Sequence, residues 1–300
     1  MPRGYTGQLY ILAFDHRGSF RKKLGVGSDP SPEELDRIID AKRLIFEGFQ
    51  QAIQDGVPKE SAGLLVDEEY GADVARKARA EGFNLAMPVE KSGQDEFDFE
   101  YGRDYGGHIE DFDPTFSKVL VRYNPQSDRE MNANQGNRLR ELGDWLHERN
   151  RLFLFELLVP ALPEQLEEVG GDENRYDKEV RPQLMLQTIQ DLHGFGVEPD
   201  IWKIEGLDTR DDCELIAAAT RSDGRDDVAC VVLGRGADDQ AVEHWLRQGA
   251  GVSGYVGFAI GRTIWGGPLS DFAGGSVERG EAARRIAANY RRFVDIYAGA

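Results

Sequence analysis

Short apolar runs alternate with amphipathic stretches along this 300-residue chain. The runs are brief and end in polar or turn residues, which is typical of buried strands. Eight such runs cover residues 8–17, 62–67, 84–89, 117–123, 152–159, 201–204, 228–233 and 252–260. Strands that alternate with helices indicate βαβ units and a parallel sheet.

Helical periodicity lies between most of these runs, at about 31–54, 72–81, 134–150, 176–195, 211–219, 237–248 and 276–298. The first helix has a clear start, with Ser31 as N-cap, Pro32 at the first position and acidic residues in the first turn. Two long polar segments, 90–114 and 160–176, are predicted as loops. Loops of this length are often functional.

Eight strand–helix units in this length predict a (β/α)8 TIM barrel that forms a single domain over residues 1–300. The main alternative is an open doubly wound sheet. No Gly-x-Gly-x-x-Gly follows the first strand to favour it. In a barrel, both long loops would leave the carboxyl ends of strands, where barrel active sites lie.

The most informative single residue is Lys203, in the middle of the apolar sixth strand. Burial disfavours a charged amine, and a neutral amine can attack a carbonyl and form a Schiff base. Lys203 is therefore a candidate nucleophile. The alternative is a structural lysine whose stem packs in the core and whose head meets a carboxylate such as Glu205.

Polar residues also end most of the other strands. Lys118 and Glu156 lie in the fourth and fifth strands, so charged groups occupy three consecutive strands that a purely structural barrel would keep apolar. This favours a catalytic site. The predicted catalytic residues are Lys203, Glu156, Lys118 and Asp15, and the predicted substrate-binding residues near them are His16, Arg17, Asp67, Glu90, Lys91, Ser92, Arg122 and Glu205.

A phosphate site is predicted after the last two strands, where barrels often bind phosphate through backbone N–H groups and a nearby helix start. The residues concerned are Gly234, Arg235 and Gly236 after the seventh strand, and Gly261 and Arg262 after the eighth. The arginines would supply forked donors. The alternative is that the glycines only close a crowded barrel seam.

Charge and composition narrow the function classes. A net charge of −18 argues against nucleic-acid and anionic-membrane partners, but not against an anionic substrate in a locally positive pocket. The two cysteines are too few for a disulfide framework, and no apolar stretch has the length of a membrane span. The amino-terminal residues lack the apolar core of a signal peptide, so a cytoplasmic location is expected.

Metal-binding spacings such as His-Glu-x-x-His or Cys-x-x-Cys are absent from the sequence, so no metal and no cofactor are predicted. The acidic run Asp67–Glu69 could hold a hard cation. The preferred interpretation is that these carboxylates bond loop backbone or pair with Arg and Lys.

Seven motifs together resemble the aldolase-like domain of 5-dehydro-2-deoxyphosphogluconate aldolases, which in bacteria is often fused to a sugar kinase in myo-inositol catabolism. They are LAFDHR (12–17), LVDEEYG (65–71), VEKSG (89–93), KVLVRYN (118–124), FEL (155–157), WKIE (202–205) and GFAIGR (257–262). The resemblance spans nearly the whole chain. It extends to class I tagatose 1,6-bisphosphate aldolases and sulfofructosephosphate aldolases.

The resemblance implies a class I aldolase that needs no metal. It implies that Lys203 forms the Schiff base, that Lys118, Glu156 and Asp15 assist, and that Gly261 and Arg262 bind phosphate. The partner would be a phosphorylated sugar or sugar acid, and a homo-oligomer is left open. The chain departs from the fused form because it has no kinase region, so the resemblance does not specify which sugar is the substrate.

Two hypotheses from other classes remain. One is a metal-assisted barrel lyase or isomerase that uses Asp67 and Glu69. The other is a sugar-phosphate sensor that keeps the pocket without turnover.

Overall fold

Eight parallel strands form a closed barrel in chain order in the computed structural model, which describes residues 3–299. They are β1 (Leu9–Ala13), β2 (Ala62–Leu65), β3 (Asn84–Pro88), β4 (Phe116–Arg122), β5 (Leu152–Leu158), β6 (Ile201–Glu205), β7 (Ala229–Leu233) and β8 (Tyr255–Ile260). Pairing of β1 with β8 closes the barrel. The predicted (β/α)8 fold is confirmed.

Helices follow the strands and surround the barrel. They are α1 (Gly18–Lys23), α2 (Pro32–Gln54), α3 (Glu68–Ala80), α4 (Tyr105–Phe112), α5 (Arg129–Glu148), α6 (Pro163–Glu168), α7 (Glu173–Arg175), α8 (Arg181–Gly194), α9 (Arg210–Thr220), α10 (Asp239–Gly249), α11 (Arg262–Ala273) and α12 (Arg279–Ala298). None of these helices is long and apolar enough to cross a membrane.

Side-chain alternation along the strands separates two layers of the core. Tyr10 and Leu12 of β1 belong to the large cluster between the sheet and the helices, whereas Leu9, Ile11 and Ala13 belong to a smaller cluster inside the barrel. The inner cluster is apolar. The inward positions nearer the carboxyl ends of the strands are charged, so the polar site lies next to a layer of apolar side chains inside the barrel.

The seam between β1 and β8 explains two glycines. A Cβ at Gly257, where φ is 153°, would lie 1.9 Å from the carbonyl oxygen of Leu9, and one at Gly261 would lie 2.4 Å from that of Ala13. Any larger residue would push β8 away from β1. Both glycines therefore have a structural reason to be there, whether or not a ligand binds beside them.

The structure differs from the sequence expectations mainly in the loops. Both long polar segments contain short helices, α4 in the first and α6 and α7 in the second. The predicted helix at 176–195 begins as a single π-helical turn, Tyr176–Val180, before α8. Helix α11, directly after β8, was not predicted. Its sequence, with paired glycines and Pro268, gives no strong helical signal.

Candidate active site

The carboxyl ends of the strands surround a cavity of about 760 Å³. All of the predicted site residues except Asp67 line it: Asp15, His16, Arg17, Glu90, Lys91, Ser92, Lys118, Arg122, Glu156, Lys203, Glu205, Gly234, Arg235, Gly236, Gly261 and Arg262. The cavity thus gathers residues from positions 15 to 262 of the chain at one end of the barrel.

Lys203 and Glu156 face each other in the floor of this cavity. They are paired in register on β6 and β5, and Oε1 of Glu156 lies 2.8 Å from Nζ of Lys203. Both side chains are buried. The alternative partner, Glu205, instead accepts a hydrogen bond from the Val159 N–H and pairs with Arg235. Lys203 therefore has a proton acceptor in contact with its amine.

Glu156 connects Lys203 to a second buried lysine, Lys118 on β4. The other carboxylate oxygen of Glu156 lies 3.0 Å from Nζ of Lys118. The same ammonium contacts Asp15 and Glu90, each at 2.8 Å. Lys118 is only 1% exposed, so three carboxylates share one buried ammonium.

Local charges outweigh burial for three members of this network, Asp15, Glu156 and Lys118. Burial alone would raise the pKa of Asp15, but Lys118 holds it below its usual range. The pKa of Glu156 is lowered in the same way, because Lys118 and Lys203 outweigh burial. Burial would lower the pKa of Lys118, but its carboxylate partners raise it well above its usual range. Asp15 and Glu156 are therefore ionised, and Lys118 stays an ammonium.

His16 forms part of the wall beside Asp15. Burial, reinforced by Arg262, lowers the pKa of His16 to about 4 despite the neighbouring Asp15. The imidazole is therefore neutral at physiological pH and offers one donor and one acceptor. Its ring packs edge-on against Trp265, whose indole N–H donates to the carbonyl of Ala13.

The two arginines after β7 and β8 are not equivalent. Arg235 has a positive φ of 52°, and its guanidinium pairs with Glu205 at 3.1 Å and with Asp177. Arg262 donates to the carbonyl oxygen of Arg235 at 3.0 Å and lies over Gly236, where a Cβ would collide with the guanidinium. Arg262 therefore has no carboxylate partner among the described residues, whereas Arg235 has two.

Helix α11 begins at Arg262, so its amino terminus lies at the cavity that Gly261 and Arg262 line. Gly261 is its N-cap and supplies no side-chain cap. The first N–H groups of a helix have no partners within the helix and carry partial positive charge. A phosphate next to Arg262 would find these donors in place.

A second group of cations lies after β1, β3 and β4. Arg17 donates to Glu100 and to the carbonyl oxygen of Glu90, and Arg122 donates to the carbonyl oxygen of Gln94. Lys91 and the neighbouring Ser92 are exposed at the rim. The carboxylate and carbonyl oxygens that accept from Arg17 and Arg122 hold both guanidinium groups against the cavity wall.

Asp67, predicted to bind substrate, lies outside the cavity and that prediction is wrong. It caps α3 by accepting from the Tyr70 N–H and forms a buried ion pair with Lys42 of α2. Lys42 also donates to the carbonyl oxygens of Phe14 and His16. The pair therefore braces the turn that presents Asp15 and His16, in line with the preferred interpretation that these carboxylates pair with basic side chains.

The acidic run therefore does not converge as metal ligands would. Glu69 is half exposed and lies 3.9 Å from Arg21, and Asp67 is occupied by Lys42. Within residues 3–299, no three His, Cys, Asp or Glu side chains are grouped in a way that could hold a metal ion.

Sequence reasoning missed one side of the cavity. Glu173, Tyr176 and Asp177, from α7 and the π-helical turn, line it opposite β1. Tyr176 donates to the carbonyl oxygen of Val159, which fixes the turn to the end of β5. Nothing in the polar segment marks these residues, although π-helical turns are frequent at functional sites.

A protein-family model matches residues 2–300, and its description is DUF2090, an uncharacterized protein conserved in bacteria. The chain belongs to this family. A comparison with proteins of curated function finds no match to the sequence.

Solved structures with the same fold include Schiff-base aldolases. A fructose-bisphosphate aldolase from Plasmodium falciparum superposes with a TM-score of 0.69 at 12% identity, over 98% of this chain and 91% of that one. A Schiff-base-forming fructose-1,6-bisphosphate aldolase gives 0.56 at 13% identity, over 98% and 97%. Cgl0159 from Corynebacterium glutamicum gives 0.55 at 16% identity, over 95% and 86%. At these identities the likeness concerns the fold.

Proposed function

We propose that this member of the DUF2090 family is a class I aldolase that cleaves a phosphorylated keto sugar or keto sugar acid through a Schiff base on Lys203. The observation that carries the proposal is the buried contact between the Lys203 amine and the Glu156 carboxylate at the floor of a polar cavity. An amine beside a proton acceptor can become neutral and attack a carbonyl.

The reaction begins when Lys203 passes a proton to Glu156 and adds to the ketone carbon. Glu156 returns a proton as the hydroxyl leaves as water, which gives an iminium. A base takes the proton from the hydroxyl on the far side of the breaking bond. Glu156, which is a carboxylate again after the loss of water, is in place to take this proton, and Lys118 orients it.

Cleavage moves the electrons of the C–C bond into the iminium, which becomes an enamine, and an aldehyde leaves. Protonation of the enamine carbon and addition of water then release the ketone product and restore Lys203. Lys118 remains an ammonium throughout and holds Asp15 and Glu156 in place.

The cavity favours a substrate with anionic groups at both ends. Two groups of cations line it: Arg262, at the start of α11 after β8, and a second group, Arg17, Lys91 and Arg122, at the carboxyl ends of β1, β3 and β4. This cationic lining contrasts with the net charge of −18. We propose that the first group binds the phosphate and the second binds the far acidic group.

The substrate we propose is 5-dehydro-2-deoxygluconate 6-phosphate, which would give dihydroxyacetone phosphate and malonate semialdehyde. The motif resemblance supports this substrate. Its chemical structure also fits the cavity, because the phosphate is next to the ketone and a carboxylate is at the far end of the molecule. Tagatose 1,6-bisphosphate and 6-deoxy-6-sulfofructose 1-phosphate share that layout and are the alternative substrates.

The test is to incubate purified protein with each of the three compounds and to measure dihydroxyacetone phosphate with a coupled dehydrogenase. We expect product from at least one compound, the highest kcat/KM for the sugar acid, and no loss of rate in chelator. Loss of activity in chelator would indicate a metal-assisted lyase. Tight binding without product from any compound would indicate a sensor.

A further inference from the structure

Glu90, two residues after β3, is the least compensated carboxylate around Lys118. It is 5% exposed. Its Oε1 accepts from Lys118 at 2.8 Å, and its other oxygen, Oε2, is buried without a hydrogen-bond partner in the described part of the chain. A buried carboxylate oxygen without a donor is costly when the group is charged.

The other two carboxylates on Lys118 each have further support. The second oxygen of Glu156 contacts Lys203 at 2.8 Å. The Asp15 side chain is 12% exposed, and the charge of Lys203 also lowers its pKa. The nearest cation to Glu90 other than Lys118 is Arg17, whose guanidinium is 3.9 Å from Oε1 and donates to Glu100 and to the Glu90 carbonyl oxygen instead.

The charges around the cluster lead to the same residue. Asp15, Glu90 and Glu156 would bring three negative charges, against the positive charges of Lys118 and Lys203. Like charges that share a buried site cannot all be ionised at low cost, and one of them takes up a proton. Glu90, whose second oxygen is buried without a donor, is the carboxylate at which protonation costs least.

We infer that Glu90 is a protonated carboxylic acid in the resting protein and acts as a positioning residue, holding Lys118 by a neutral hydrogen bond and leaving its charge to Asp15 and Glu156. Burial raises the pKa of Glu90, and this exceeds the opposing effect of Lys118, in agreement with the geometry. A charged Glu90 would instead draw the Lys118 ammonium toward β3 and weaken its hold on the other two carboxylates.

Glutamine has the shape of protonated glutamate and cannot ionise, so Glu90→Gln is the decisive variant. Infrared difference spectroscopy of the ligand-free protein is the first measurement. We expect a carboxylic-acid carbonyl band in the wild type that disappears in Glu90→Gln. The matched control is Glu96→Gln, which removes a half-exposed carboxylate of the same loop, paired with Arg138 outside the cavity, and should leave the band unchanged.

The second measurement is the rate of aldol cleavage against pH, and this arm alone rests on the proposed function. We expect Glu90→Gln to turn over at neutral pH with far less than the ~10²–10⁴-fold loss typical of a missing general acid or base. The ratio of its rate to the wild-type rate should rise with pH, because only the wild type gains the unwanted charge. Glu90→Ala, which removes the hydrogen bond to Lys118, should be slower than Glu90→Gln at every pH.

Two results would overturn the inference. One is an infrared spectrum in which Glu90→Gln, folded by circular dichroism, loses no acid band. The other is a rate ratio that stays flat or falls with pH. If no compound is cleaved at all, the proposed aldolase function fails, but the infrared result still decides the protonation of Glu90.

Discussion

Glu156 Oε1 lies 2.8 Å from Lys203 Nζ, and the two residues are register partners on adjacent strands. Because both side chains point into the barrel from paired positions, the contact is fixed by the sheet itself rather than by a flexible loop. The proposed proton transfer therefore needs no rearrangement of the backbone.

Replacing Glu156 with Gln should remove the proton acceptor and keep the shape of the side chain. We expect turnover to fall by about 10²–10⁴-fold, the usual contribution of a general acid or base. Schiff-base formation should persist in part. Steady-state kinetics and covalent trapping on the same preparation would measure both, and turnover close to wild type would exclude Glu156 as the proton shuttle.

Arg262 is expected to bind the substrate phosphate. Its guanidinium has no carboxylate partner among the described residues and lies beside the first turn of α11. Arg262→Ala should lose about 1.5–3 kcal/mol of binding, the range for hydrogen bonds to charged groups. Arg262→Lys should also bind more weakly, because an ammonium lacks the planar fork.

The measurement compares phosphorylated with unphosphorylated substrate on each variant. An equal penalty on both substrates would mean that Arg262 is structural. Arg235→Ala is the matched comparison: since Arg235 is already paired with Glu205 and Asp177, we expect it to discriminate less between the two substrates than Arg262→Ala does.

The buried pair of Lys42 and Asp67 should contribute to folding rather than to chemistry. Lys42→Met leaves Asp67 as a buried carboxylate with only the Tyr70 N–H as a donor. Breaking a buried pair in this way typically costs about 3–5 kcal/mol of unfolding free energy. The double variant Lys42→Met with Asp67→Leu should recover part of the loss, as measured by urea unfolding.

The pH dependence of the Lys42→Met variant follows from the same carboxylate. Burial already raises the pKa of Asp67 despite the opposing effect of Lys42, and removing Lys42 removes that opposition. A carboxyl whose pKa is higher in the folded than in the unfolded state binds more protons when the protein is folded. The free energy of unfolding therefore falls as the pH rises above the pKa of the unfolded state. The deficit of Lys42→Met should therefore shrink in acid. A deficit independent of pH would show that Asp67 does not titrate.

Much of the fold and of the candidate site could be predicted because the signal lies in single strands. A charged residue in the middle of an apolar strand, as for Lys203 and Glu156, must be buried, and alternation then gives its direction. For Asp67 the same reasoning gave the wrong direction of the side chain. It follows Leu65, whose side chain lies inside the barrel, but β2 ends at Leu65 and the chain turns so that Asp67 caps α3.

Contacts between distant segments could not be predicted. The pairing of Arg235 with Asp177 joins the loop after β7 to a π-helical turn after β5. No local pattern indicates that such a turn forms or which cation it would neutralise. The vacant oxygen of Glu90 is likewise a property of the assembled cluster, since it depends on which donors the neighbouring strands bring close.

The most direct test of the central claim is reductive trapping of the Schiff base. The protein is mixed with dihydroxyacetone phosphate and sodium borohydride, digested and mapped by peptide mass. We expect one adduct on the peptide that contains Lys203, and none in Lys203→Met, whose side chain matches the lysine stem and should leave the fold intact. An adduct on Lys118 or Lys91 instead, or no adduct in the wild type, would contradict the assignment of Lys203 as the nucleophile.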